Sequence, residues 1–174
     1  MADQTFNTGA GKTIDRELLL SCLNTGTTSV PVWSPLGLRV NDSSESIAWN
    51  DETNMDIRGN TFTEMKKPQI TQTFDPSPLD AGDVAQVKVW NLAIKDQDYA
   101  ALANQDMLIV HLYAGTANTA VFAERYSACA IRPTGLGGAG GGNISMPYEV
   151  TYGGVRTIGT AAVSGGSITF NAST

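Results

Sequence analysis

The sequence predicts a mainly β domain: a β-sandwich or barrel with one flanking α-helix. Three observations carry this. Short apolar runs with a two-residue period recur along the chain. Eighteen glycines, with many Thr, Ser, Asn and Asp residues, cut it into strand-length pieces. Only one segment, Asp83 to Ala93, opens with a strong helix start signal.

The first stretch with a motif is TGAGKTIDRELLL, Thr8 to Leu20. Gly11-Lys12-Thr13 resembles the end of a phosphate-binding loop, but that loop needs a glycine five residues earlier, and Phe6 stands there. No apolar strand precedes it. The expectation is a polar, flexible N-terminal arm, residues 1–13, with Asp15 or Thr13 capping a short ordered segment; Ile14 to Leu23 has helical character. Next come runs around Trp33 and at Leu38-Arg39-Val40, then ESIAWND, which places Ile47 and Trp49 on one face of a half-buried strand. QITQTF alternates through Ile70 to Phe74.

Asp83 and Gln86 form a capping box, and Pro76, Pro78 and Gly82 stop anything upstream. Val84, Val87, Asn91 and Ile94 lie along one helical face with a single polar member, so the segment reads as a helix. DQDYAALANQD adds a second helical turn or two. DMLIVHLYA, Asp106 to Ala114, is apolar on both faces and reads as a central strand. Ala120 to Ile131 alternates again. Beyond a flexible glycine tract at Gly135 to Gly142, three further strands follow, with Gly153-Gly154 and Gly165-Gly166 as the turns between them.

At 174 residues the chain is expected to be one domain. Eleven basic and 17 acidic residues give a net charge of -6, and Lys66-Lys67 is the only basic doublet, so sequence-specific DNA binding is not expected. No signal peptide pattern and no long apolar run are visible, which points to a soluble chain without a membrane segment. Cys22 and Cys129 read as free thiols. Catalytic, cofactor and metal sites are not expected. The single His111 lies mid-strand, and the acidic pairs Asp51-Glu52, Asp80/Asp83 and Asp96/Asp98 sit at turns or helix starts, where turn chemistry accounts for them.

The middle of the chain is the most specific. Asp56-Ile57-Arg58-Gly59-Asn60-Thr61 is followed by Lys67-Pro68, Phe74-Asp75-Pro76 and Ala81-Gly82-Asp83, the last opening the helix. This order resembles the major tail tube proteins of tailed bacteriophages, of the long-tailed, non-contractile type. The likeness runs from about Val30 to Phe170, on into DMLIVHLYAG and MPYEVTYGGVRTIGTAAV, the latter matching a closing hairpin. The glycine tract and the polar N-terminus have no counterpart.

The resemblance implies a structural virion protein without enzymatic activity. Such a chain forms homo-hexameric rings, which stack into a hollow tail tube for genome delivery. It implies further tail partners (initiator, tape measure, terminator) and DNA that crosses the lumen without specific binding. The location implied is the virion tail, and the host bacterial cytoplasm during assembly. The connection from about 51 to 66 would reach a neighbouring subunit, with Met55, Ile57, Arg58, Phe62 and Met65 as its interface. Two alternatives fit the strand pattern: a β-sandwich binding module, such as an adhesin or virion decoration domain, and the tube of a contractile tail or tail-like particle.

Overall fold

The computed structural model describes residues 3–173. Eleven strands and two short helices follow one another: β1 (Leu19–Asn24), β2 (Trp33–Pro35), β3 (Glu45–Ala48), β4 (Glu52–Met55), β5 (Thr61–Glu64), β6 (Gln69–Phe74), α1 (Val84–Trp90), α2 (Tyr99–Leu102), β7 (Gln105–Thr116), β8 (Ala120–Pro133), β9 (Tyr148–Tyr152), β10 (Arg156–Ser164) and β11 (Ser167–Ala172). The fold is mainly β with a flanking helix.

Nine strands form one antiparallel system in the order β2-β1-β7-β8-β9-β6-β3, with β10 on β8 and β11 on β10. The long β8 makes this branching possible. Its first half, Val121 to Tyr126, pairs with β10, and its last residues, Ala130 to Pro133, pair with β9. The change of partner falls at Ser127-Ala128, where the chain passes from β9 to β10. Gly154 has φ +72° there, and an added Cβ would collide with the Ala128 backbone, so only glycine fits.

This corrects the expected closing hairpin: β9 and β10 share β8 as a partner and do not pair with each other. Gly165-Gly166 does close a true hairpin, both residues having positive φ, as a tight turn between twisted strands requires.

Alternation on β7 builds two cores. Met107 and Ile109 face a cluster that includes Leu23, Phe74, Ile131, Tyr148 and Val150, with Ala85 and Val89 of α1 packed on it. Leu108 and Val110 face the other way, into Cys22, Trp33, Val121, Ala161 and Ile168. Trp33 on β2 and Ile168 on β11 meet in that second cluster, so the two outer strands curl toward each other round it.

Local signals fail where tertiary packing overrides them. Ile14 to Leu23 is not a helix: after a single 3-10 turn at Arg16–Leu18 the chain enters β1, held between β2 and β7 and buried on both faces. Asp15 makes no side-chain cap. Leu38-Arg39-Val40 forms no strand; Arg39 has φ +61° inside a turn. Ile47 and Trp49 are half-exposed, because β3 is the outermost strand of its end of the sheet.

The helix starts as expected, Asp83 accepting the Gln86 N–H at 3.0 Å. The reciprocal half of the capping box is absent. Gln86 is buried and turns its amide to Ser77 and the Pro78 carbonyl, while its oxygen accepts the Asp80 N–H at 2.8 Å. This rotates the inward face to Ala85, Gln86 and Val89, leaving Val84, Val87 and Ile94 on the outside. A π turn, Asn91–Lys95, continues the helix.

Candidate functional site

The segment 51–66 folds as a hairpin separate from the main sheet. β4 and β5 pair only with each other, in register Glu52↔Glu64, Thr53↔Thr63, Asn54↔Phe62 and Met55↔Thr61, and all eight strand residues are exposed. A two-stranded ribbon is marginal in water on its own. The ends are tied by Lys66 to Glu52 at 2.8 Å and by the Thr53 and Thr63 hydroxyls at 3.0 Å.

The tip is built by Asp56. Its carboxylate accepts the N–H groups of Arg58 and Asn60, each at 2.8 Å, and the Asn60 side-chain amide at 3.0 Å. The hydrogen bonds from Asn60, side chain first and then backbone, hold the Asp56 carboxyl below the usual carboxylate range. Gly59 supplies the positive φ of +81° that lets the loop close.

All five expected interface residues lie on this ribbon or at its foot. Ile57, at the tip, is fully exposed, and Met55 and Met65 are about as open as each other, at 68% and 67%. Directly paired residues share a face, so Phe62 lies with Asn54 on one side while Met55 lies with Thr61 on the other. Apolar side chains therefore occur on both faces. A ribbon packed on its own domain would show one apolar face and one polar face.

The N-terminal arm is tethered over part of its length. Residues 1 and 2 lie outside the described region. Phe6 bridges Ala114, Asn7 donates its N–H to the Tyr113 carbonyl at 2.9 Å, and the Phe6 and Tyr113 rings meet edge to face at 5.4 Å. Gly11 and Lys12 sit in an exposed turn with no helix following.

His111 belongs to a polar group at one end of the core. Its Nε2 lies 2.9 Å from Glu124, which also accepts from Arg156 at 2.5 Å and Tyr126 at 3.0 Å. Asp106 holds Arg125 in a two-pronged pair at 2.7 and 2.9 Å. These pairs are satisfied within the fold. Cys22 and Cys129 are free and buried, and burial pushes both thiols up to about 12, which leaves them unreactive. Among the described residues no three His, Cys, Asp or Glu side chains converge as metal ligands, and no helix is long and apolar enough to cross a membrane.

Sequence reasoning missed the outer face of α1. Its helical period was legible, but periodicity gives the stripe and not the side from which it is covered. Val84 and Leu38 flank one groove, and at the other end Ile94, Tyr99, Leu102 and Pro133 line a second of about 460 Å3. The one signal in the sequence was Gln86, a polar residue between apolar ones that turned out to be the buried member.

No protein-family model matches the chain, and no curated protein matches it. Among solved structures it is similar to the tube-terminating cap of the anti-feeding prophage, at 19% identity, with 89% of this chain and 96% of that one covered and a TM-score of 0.48. The sheath/tube terminator of an extracellular contractile injection system in its extended state aligns at 14% identity over 86% and 99%, TM-score 0.48. A chain of the sheath-tube complex of such a system aligns at 13% over 94% and 95%, TM-score 0.46. These are likenesses of chain path.

Proposed function

We propose that this chain is a structural subunit of a tail tube, which assembles with copies of itself into rings, six to a ring, that stack around a hollow lumen. The observation that carries the reading is the β4–β5 hairpin, with Met55, Ile57, Phe62 and Met65 exposed and apolar side chains on both of its faces. The order of motifs from Asp56 to Asp83, and its resemblance to phage tail tube proteins, supports the same reading. Burying two of those side chains against a neighbour contributes about 3–6 kcal/mol before the cost of ordering the ribbon. Asp56 reduces that cost by shaping the tip in advance.

The net charge of -6 suits a conduit that does not hold its cargo, since an acidic wall gains nothing from releasing the counterions of DNA. In this reading the chain resides in the tail of a virion or tail-like particle. It meets an initiator, a tape measure and a terminator there.

Sedimentation and negative-stain microscopy across a concentration series test it. Tubes are expected, with an Ile57→Asp, Phe62→Asp variant that stays folded and does not polymerise. Single rings that never stack would make the chain a terminating ring of such a tube. Monomer at every concentration, alone and beside other tail components, would overturn the reading in favour of a stand-alone binding module.

A further inference from the structure

The hairpin is a projecting knob, and the same chain carries an unfilled apolar groove. That groove lies between the π turn after α1, the helix α2 and the last residues of β8, and is lined by Ile94, Gln97, Tyr99, Leu102, Ile131 and Pro133. The chain's own hairpin does not occupy it, because Ile57 is fully exposed. The geometry points to the groove as the receptor for the β4–β5 tip of a second copy, Ile57 entering it and Arg58 meeting its rim.

This rests on the proposal that the chain self-assembles, and adds which surfaces meet. Charge supports the match. Gln97 lines the groove between Asp96 and Asp98, and the two cations beside it are already paired, Lys95 with Asp96 at 3.4 Å and Arg132 with Glu149 at 2.7 Å. That leaves Asp98 as the carboxylate at the rim without a cation partner among the described residues, and Arg58 likewise has no carboxylate partner on its own chain among them. The groove is rigid on its two sides: Asp98 caps α2 by accepting the Ala101 N–H at 2.9 Å, and β8 is pinned by β9. Its wide-open mouth suits a protruding loop, and its lining offers few polar groups to orient a small polar ligand. A knob and a hole on different surfaces of one subunit give head-to-tail contacts, which close into rings or run on as stacks.

Two complementary variants test this. Ile57→Asp spoils the tip and leaves the groove; Ile94→Lys spoils the groove and places a cation where Arg58 would sit. Both positions are on the surface, and circular dichroism checks that both variants fold. Each alone should lose assembly at least tenfold relative to the parent. Mixed in equal amounts they should form a heterodimer and stop, because only one intact knob and one intact hole remain. A separate readout uses Ile57→Cys with Gln97→Cys and a short bismaleimide, the native thiols being buried. Crosslinks between subunits are expected. A parent that assembles while Ile94→Lys assembles equally well and no crosslink forms overturns the groove assignment and leaves self-assembly standing. A parent that never assembles overturns both.

Discussion

Asp56 accepts the Asn60 N–H at 2.8 Å and the Asn60 side-chain amide at 3.0 Å, so one carboxylate fixes both the backbone and the side chain that close the hairpin tip. The contact is entirely at the surface. It stabilises no core, and its effect is to present Ile57 and Arg58 in one conformation.

Asp56→Ala should therefore leave the melting temperature unchanged while slowing assembly. The amides of Arg58 and Asn60 should exchange faster in the variant, and in the parent they should slow further on assembly. Because the Asp56 carboxyl is held below its usual range, tip order is present above that range and lost as pH falls through the lowered value. Chemical shifts of the two amides across an acid titration check the sign.

Lys12→Ala should change neither fold nor assembly, and neither ATP nor GTP should bind the parent. Lys12 is exposed, and the chain after it runs into a 3-10 turn and then β1, so no helix N-terminus faces a phosphate there. Micromolar nucleotide affinity by calorimetry, lost in the variant, would contradict this.

Phe74→Ala should cost about 3–5 kcal/mol in denaturant unfolding. Phe74 is buried at the end of β6 and stacks on Tyr148 of β9 with ring centroids 4.8 Å apart, so the cavity opens between two paired strands. A loss below about 1 kcal/mol would mean the sheet collapses into the space.

The sequence made these strands legible through local patterns: β6 and β8 by alternation, β7 by a continuous apolar run, and β11 by the Gly165-Gly166 turn that precedes it. The cap at Asp83 was legible for the same reason, being a contact across three residues. What was not legible depended on partners distant in the chain. Ile47 and Trp49 alternate as a buried face would, yet β3 ends the sheet and about half of each stays exposed. Val84, Val87 and Ile94 form a helical stripe, yet Gln86 finds Ser77 and Pro78 and draws the opposite side inward. The hairpin was visible as an apolar-bearing connection; its pairing and its two-sidedness required the register. In each case an exposed apolar residue has the same local pattern as one in the core.

The last prediction concerns two carboxylates whose partners, not their burial, send them in opposite directions. Glu45, on β3, has one oxygen buried without a hydrogen-bond partner. Burial pushes its pKa up; His111 and Arg16 pull it down, and Glu124 adds to the rise. For Glu124 burial acts in the same direction, but the hydrogen bonds from His111 and Arg156, with their charges, outweigh it and hold the carboxyl at about 2. The pH effects are opposite in sign. Glu124 contributes stability above its ordinary value, and that stability is lost as pH falls toward about 2. Glu45 takes up its proton more readily when folded, so stability declines as pH rises from its ordinary value through the raised one. Glu45→Gln should remove that decline and stabilise the protein at pH 7 by about 1 kcal/mol, since a neutral amide is less costly to bury than an unpaired carboxylate. Arg156→Met should weaken the acid limb instead, because Glu124 loses its charged partner. Urea unfolding of the three proteins at pH 3, 5 and 7 separates the two effects. A Glu45→Gln protein less stable at pH 7 would show that ionised Glu45 is needed to hold Arg16 and His111 in place.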